Sequence, residues 1–288
     1  MQVYLNGSIM PADQAAISPF DRGFLFGDGV YEGLRAFDGR VRRVEGHIER
    51  MSDGLGRASI DWDASQLPRL TERLLEANDL SNAFIYWQVT RGKPGSGDPA
   101  RTRLPASKLI PTVFGYASPA PSLAEYTEPR TIRVSTAADK RWREGTLKSI
   151  SLLGNILSAL EAQEQGADDA VLIRNGMVAE ATSSNIVLVH RADGKARIST
   201  PSLESAPILD GVTRRCILKL CPEIKERPVA ADELVTADEI MLMGTLTMIT
   251  SIVSLDGVTV GDGKPGPEAR RILSTYTDAL RTDQLSAV

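Results

Sequence analysis

Short apolar runs closed by turn pairs open the chain. Val3-Tyr4-Leu5 before Asn6-Gly7 reads as a strand and a tight turn, and residues 31–37 and 41–44 on either side of Asp38-Gly39 read as a hairpin. The period then lengthens, with a helix opening near Glu45 and residues 66–79 carrying their apolar positions on one helical face. Strands at 83–90 and 108–116 flank residues 93–105, where Pro94, Pro99, Pro105, Gly95 and Gly97 exclude an element interior. The stiff run Ala117-Ser118-Pro119-Ala120-Pro121-Ser122 follows and divides the pattern.

We therefore place an N-terminal domain over residues 1–118, a linker over 119–126 and a C-terminal domain over 127–288. The last begins with a strand at 130–136 and continues through a helical pattern at 156–162 that stops near Gly166. A hairpin follows from Ala170, turning on Asn175-Gly176 and ending in the carboxylate of Glu180 beside a hydroxyl-rich loop. Strands at 186–190 and 196–200, a helix entry at 209–215, a buried strand at 239–243 and a helix from Glu268 complete the pattern. Interleaved strands and helices predict an α/β (α+β) class, with a small N-terminal α/β domain and a larger C-terminal domain on a mixed sheet.

Composition excludes more than it selects. With 288 residues, 42% hydrophobic and 24% charged, the chain has globular character, and a net charge of −4 offers no general field for nucleic acid or anionic membranes. No stretch of 18 apolar residues occurs, so no membrane association is expected. Cys216 and Cys221 form no C-x-x-C pair, which predicts neither disulfide nor metal site and suits a reducing cytoplasm.

The chemistry centres on Lys148, in Arg141-Trp142-Arg143-Glu144-Gly145-Thr146-Leu147-Lys148, beyond which no charge recurs until Glu161. A partly desolvated lysine loses its proton more readily, and the neutral amine attacks aldehydes. Alone, such a lysine is more often a solvated one. The hairpin from Ala170, however, delivers Glu180 beside Ser183-Ser184-Asn185, an acid able to hold a pyridinium. Arg50 enters a helix from its first turns, where His47 and Arg50 are also readable as a surface pair. The amides of Val212 and Thr213, with the Thr213 hydroxyl, open another helix and suit a dianion. Thr245, Leu246 and Thr247 follow the buried strand and offer further amides and hydroxyls. Arg22 to Glu32 contains three glycines among aromatics without dinucleotide-site spacing.

Taken together, these motifs resemble the fold-type IV pyridoxal-phosphate enzymes over essentially the whole chain, and most of all the D-amino-acid aminotransferases. The resemblance implies a two-domain fold with a barrel-like C-terminal domain and pyridoxal 5'-phosphate as cofactor. Lys148 would be the catalytic lysine. Arg50, Glu180, Val212, Thr213, Thr245, Arg141, Ser184 and Asn185 would contact the cofactor, with Tyr31, Leu246 and Thr247 on the substrate side. It implies a transaminase moving an amino group from an amino acid to a 2-oxoacid. It also implies a homodimer in which residues 93–105 reach over the partner's pocket.

The departures bear on substrate. D-amino-acid aminotransferases carry an arginine and a histidine in the loop after Thr-Arg-Gly, where this chain has Ser96, Gly97 and Asp98. Lys93, Arg101 or Arg103 are the replacements within reach for a substrate carboxylate, which leaves D-amino acids as expected donors and (R)-primary amines as further ones. Tyr31-Glu32-Gly33-Leu34-Arg35 looks more like the branched-chain aminotransferases, the first alternative, although Leu153 stands where those enzymes have a tyrosine. An aminodeoxychorismate-lyase activity is the second alternative. A non-catalytic cofactor-binding protein fits less well, since both Lys148 and Glu180 are present.

Overall fold

The computed structural model describes residues 1–99, 101–105 and 108–282. The class is mixed α/β. Contacts divide the chain into two compact units, Met1–Ser122 with Leu147–Ser151, and Leu123–Thr146 with Leu152–Val288.

The first unit contains β1 (Gln2–Leu5), β2 (Ser8–Pro11), α1 (Arg22–Phe26), β3 (Gly29–Phe37), β4 (Arg40–Arg42), α2 (Val44–Ala58), α3 (Leu67–Asn78), β5 (Ala83–Thr90) and β6 (Thr112–Pro119). Its strands form a six-stranded sheet in the order β2-β1-β6-β5-β3-β4, with every pairing antiparallel. Period-2 alternation sends Ala83, Ile85, Trp87 and Val89 of β5 into the core. Leu67, Leu70, Leu74 and Leu75 of α3 meet that core from helical spacing. Trp87 is fully buried, donates from Nε1 to the Thr71 hydroxyl at 2.9 Å and meets the edge of Tyr4. Its register partner is Gly115, where a Cβ would lie 2.5 Å from the indole.

Local differences from the sequence reading have physical reasons. The glycine-rich stretch begins with a short helix, α1, because Asp21 accepts from the Gly23 amide at 2.8 Å and caps it. The returning strand of the first hairpin ends at Arg42, since Arg43 turns left-handed and starts α2. The strand expected at 108–116 starts at Thr112, because Pro111 has no N–H for a ladder, and it runs on to Pro119.

The second unit contains β7 (Arg130–Ala138), α4 (Leu153–Glu164), β8 (Asp169–Arg174), β9 (Met177–Ala181), β10 (Asn185–Ala192), β11 (Lys195–Pro201), α5 (Val212–Leu220), β12 (Lys225–Arg227), α6 (Glu233–Thr236), β13 (Glu239–Gly244), β14 (Met248–Leu255), β15 (Val258–Thr259) and α7 (Pro267–Arg281). Its nine-stranded sheet runs β12-β11-β10-β13-β14-β7-β8-β9, with β15 against β14. The sheet is mixed: β7 lies parallel to both β14 and β8, and β11 parallel to β12. Runs such as Ile186 to Val189 and Ile240 to Met243 are buried along their whole length, as central strands covered on both faces must be. The sheet curls, so that β9 at the end of the strand order comes back into contact with β10 and β11. Buried Glu239 caps α7 by accepting from the amides of Glu268 and Ala269.

Gly92, two residues past β5, has φ +91°, and a Cβ there would sit 1.9 Å from the Ile110 carbonyl oxygen. Gly39 also has positive φ (+75°) but nothing within 4 Å. Gly92→Ala should therefore cost clearly more than about 1 kcal/mol and more than Gly39→Ala. Urea midpoints of the two variants measure the difference, and equal losses would mean that Ile110 yields freely.

Candidate active site

Lys148 lies between elements, yet its backbone is tied to β3. The Tyr31 amide donates to the Lys148 carbonyl at 3.1 Å, Ser149 bridges Val30, and the Ile150 amide donates to Gly29 at 3.1 Å. The half-buried lysine places its Nζ 4.1 Å from the centroid of the Tyr31 ring. That ring stacks on Tyr86, which stacks on Tyr116. The structure thus joins the expected lysine to the expected substrate-side tyrosine.

Arg50 is not half of a surface pair. It grips the fully buried Glu32 carboxylate through Nε at 2.7 Å and Nη2 at 2.8 Å, and His47 Nδ1 lies 2.7 Å from the same carboxylate. Burial raises the Glu32 pKa, but Arg50 and His47 outweigh that and hold the carboxyl well below its ordinary range. Burial also lowers the His47 pKa, against the pull of Glu32 and with the help of Arg50 and Lys148. Sequence reasoning missed Glu32, although its place between inward-facing Val30 and Leu34 marked it as a buried acid in need of partners.

In the second unit Glu180, buried on β9, accepts from Arg141 Nη1, from Asn185 Nδ2 at 3.1 Å and from the Leu209 amide at 3.1 Å. Arg141 is itself seized by Asp139 through Nε and Nη2, both at 2.9 Å, while Arg174 reaches Asp139 at 3.1 Å. Burial works against the Arg141 charge, but Asp139 and Glu180 reverse the effect and raise its pKa. Asn185 also donates to the Leu209 carbonyl at 2.9 Å, and a Cβ on Gly211 would meet the Asn185 side chain, so this amide packs tightly against the entry to α5. Asp139, Arg174 and Leu209 were not predicted; Asp139 in Asp139-Lys140-Arg141 looks like an ordinary surface charge run.

Val212 and Thr213 form the first turn of α5, where the N-cap Gly211 supplies no side chain. The Thr213 hydroxyl lies 3.3 Å from the Tyr276 hydroxyl on α7. Thr245, Leu246 and Thr247 form the turn between β13 and β14, with Leu246 exposed and the Thr247 and Ser184 hydroxyls 3.1 Å apart. Lys93, Arg101 and Arg103 stand exposed on the 93–105 segment of the first unit.

The family model for amino-transferase class IV matches residues 29–255. The chain belongs to the class IV aminotransferases. It is 32% identical to the D-alanine aminotransferase of Bacillus licheniformis over 294 residues, covering all of both chains. It is 33% identical to a putative branched-chain-amino-acid aminotransferase of Methanocaldococcus jannaschii, over 98% of this chain and 97% of that one. Among solved structures it resembles the branched-chain aminotransferase of Thermoproteus uzoniensis with norvaline, at 26% identity and a TM-score of 0.81, over 96% of this chain and 93% of that one. Class IV aminotransferases use pyridoxal 5'-phosphate, and the fold is the fold-type IV architecture. Among the described residues no helix is long and apolar enough to cross a membrane.

The Glu32 carboxyl has a lower pKa folded than unfolded, so the stability it contributes is complete above its unfolded value near pH 4 and is lost as pH falls toward the folded value. Glu32→Gln should lower stability at pH 7 by about 3–5 kcal/mol, because Arg50 is left facing a neutral amide. The variant should also lose less stability than wild type between pH 4 and pH 2. Thermal midpoints across that range test both, and parallel acid slopes would remove Glu32 from the titration.

Proposed function

We propose that this aminotransferase moves an amino group from a D-amino acid, and also from (R)-primary amines, to a 2-oxoacid. The bound cofactor supplies an aldehyde that takes up the donor's amine and a ring that accepts electrons from the donor carbon. The observation that carries the reading is Glu180, a buried carboxylate fixed by three donors and suited in charge and geometry to a protonated ring nitrogen.

Each remaining role follows from local chemistry. Lys148 holds the cofactor and then moves a proton to and from the donor carbon, with Tyr31 beside its amine. Arg50 and the first-turn amides of Val212 and Thr213, a donor set that fits a dianion, hold the phosphate with Thr245. Arg141, Asn185 and Ser184 keep the ring side in place. Leu246 and Thr247 border the substrate, and Lys93, Arg101 or Arg103 supplies the cation that a carboxylate in a closed pocket requires.

Full-length identity to D-alanine aminotransferases supports D-amino acids as donors. A branched-chain L-amino-acid specificity is the second reading, favoured by the Methanocaldococcus relative and by Tyr31-Glu32-Gly33-Leu34-Arg35. A homodimer is supported by the family resemblance and by Leu153, Ile156, Leu157 and Leu160, an exposed apolar stripe at helical spacing on α4. Residues 93–105 would then complete the partner's pocket. The free cysteines suit residence in the cytoplasm.

Borohydride reduction followed by peptide mapping should find the cofactor on Lys148, and an adduct on another lysine would defeat the assignment. Glu180→Gln should retain cofactor yet lose at least about a hundredfold in kcat, in keeping with the loss of a preorganised charge. Arg50→Ala should instead weaken cofactor affinity by about ten- to a hundredfold, the loss of a charge-assisted contact of about 1.5–3 kcal/mol. A panel of D- and L-amino acids tests the donor: preference for L-leucine or L-valine over every D-amino acid would select the second reading.

A further inference from the structure

Arg22 is a nearly fully buried cation, 5% exposed, to which the transamination roles above assign nothing. Its guanidinium donates from Nε to Asp28 Oδ2 at 2.7 Å, from Nη1 to the Thr102 carbonyl at 2.6 Å and from Nη2 to the Arg103 carbonyl at 2.9 Å. Asp28 is shared with Arg91, which donates to both its oxygens and to the carbonyls of Ala58 and Ser59 at the end of α2. Burial raises the Asp28 pKa, but hydrogen bonds from Arg91 and Arg22 outweigh this and lower it.

The Arg22 bonds therefore run from α1, and from Asp28 ahead of β3, into the backbone of the Pro/Gly-rich segment. Phe26 stacks against Arg22 at 4.8 Å and against Arg101 at 5.5 Å. A cleft of about 600 Å³ is lined by Phe26, Pro99, Arg101, Thr102, Arg103 and Leu104.

We propose that Arg22 is a positioning residue for substrate recognition: by clamping the Thr102 and Arg103 carbonyls it holds the guanidinium-bearing segment in the conformation that receives a carboxylate. This rests on the reading that Arg101 or Arg103 binds that carboxylate. Residues 93–99 and 101–105 lie outside helix and strand, and proline and glycine at this density leave little regular hydrogen bonding to fix the segment from within. A planar guanidinium can bond two adjacent carbonyls and a carboxylate at once, whereas the single ammonium of lysine cannot span the same three acceptors. Lysine at position 22 would still offer Asp28 a cation, which separates loss of the clamp from loss of charge.

The test uses the holoenzymes of wild type, Arg22→Lys, Arg22→Gln, Arg101→Ala and Arg103→Ala, with the amino acid that wild type turns over fastest. Hydrogen exchange of peptides covering 101–105 should quicken in Arg22→Lys, while peptides of β3 and β5 keep wild-type exchange. KM for the amino acid should rise about tenfold with kcat changed no more than about threefold, the mark of misplaced recognition rather than damaged chemistry. Arg22→Gln should repeat the pattern more strongly. Wild-type exchange across 101–105 in both Arg22 variants would overturn the clamp, and so would a fall in kcat at unchanged KM. Wild-type KM in both Arg101→Ala and Arg103→Ala, with the Arg22→Lys segment loosened, would instead overturn the carboxylate reading and with it the recognition role of Arg22.

Discussion

The hydrogen bond from the Tyr31 amide to the Lys148 carbonyl is the constraint on which the placement of the Lys148 amine depends. A lysine side chain has four rotatable carbons, so its amine is only as well placed as its backbone. Here that backbone belongs to no helix or strand of its own. It is laid against β3, which is paired along its length with β5, and so inherits the stiffness of the six-stranded sheet. The Tyr31 ring, held in a stack with Tyr86 and Tyr116, then limits where the amine can swing.

Each unit uses the same electrostatic device. Three buried carboxylates are paired with buried or half-buried cations: Glu32 faces Arg50 beside His47, while Asp139 and Glu180 face Arg141 and Arg174. In the second cluster two carboxylates oppose two guanidinia. The bidentate hold of Asp139 fixes the guanidinium of Arg141, which in turn fixes the position of Glu180. Arg50 is likewise held in one orientation by the two oxygens of Glu32.

Much of this was legible in the sequence because it is local. Asn175-Gly176 turns the hairpin with both residues at positive φ, and the leucines of α3 announce their face by spacing alone. Lys148 and Glu180 stood out through the motifs around them. Glu32 and Arg22 did not, since each matters through a partner 18 and 80 residues away, and Asp139 did not because a charged letter beside other charged letters reads as solvated surface. The order of the nine-stranded sheet was also hidden. Its parallel neighbours β14 and β7 are set by long-range pairing that no short window contains.

The indole of Trp87 lying where a side chain at position 115 would begin has a consequence for how such a chain can vary. Glycine at 115 is not a free choice while tryptophan occupies 87. A descendant that gains a side chain at 115 must first shrink the ring, and the intermediate carries a void in its core. The two positions are therefore inherited as one unit, and the order in which their changes can arise is set by packing rather than by catalysis.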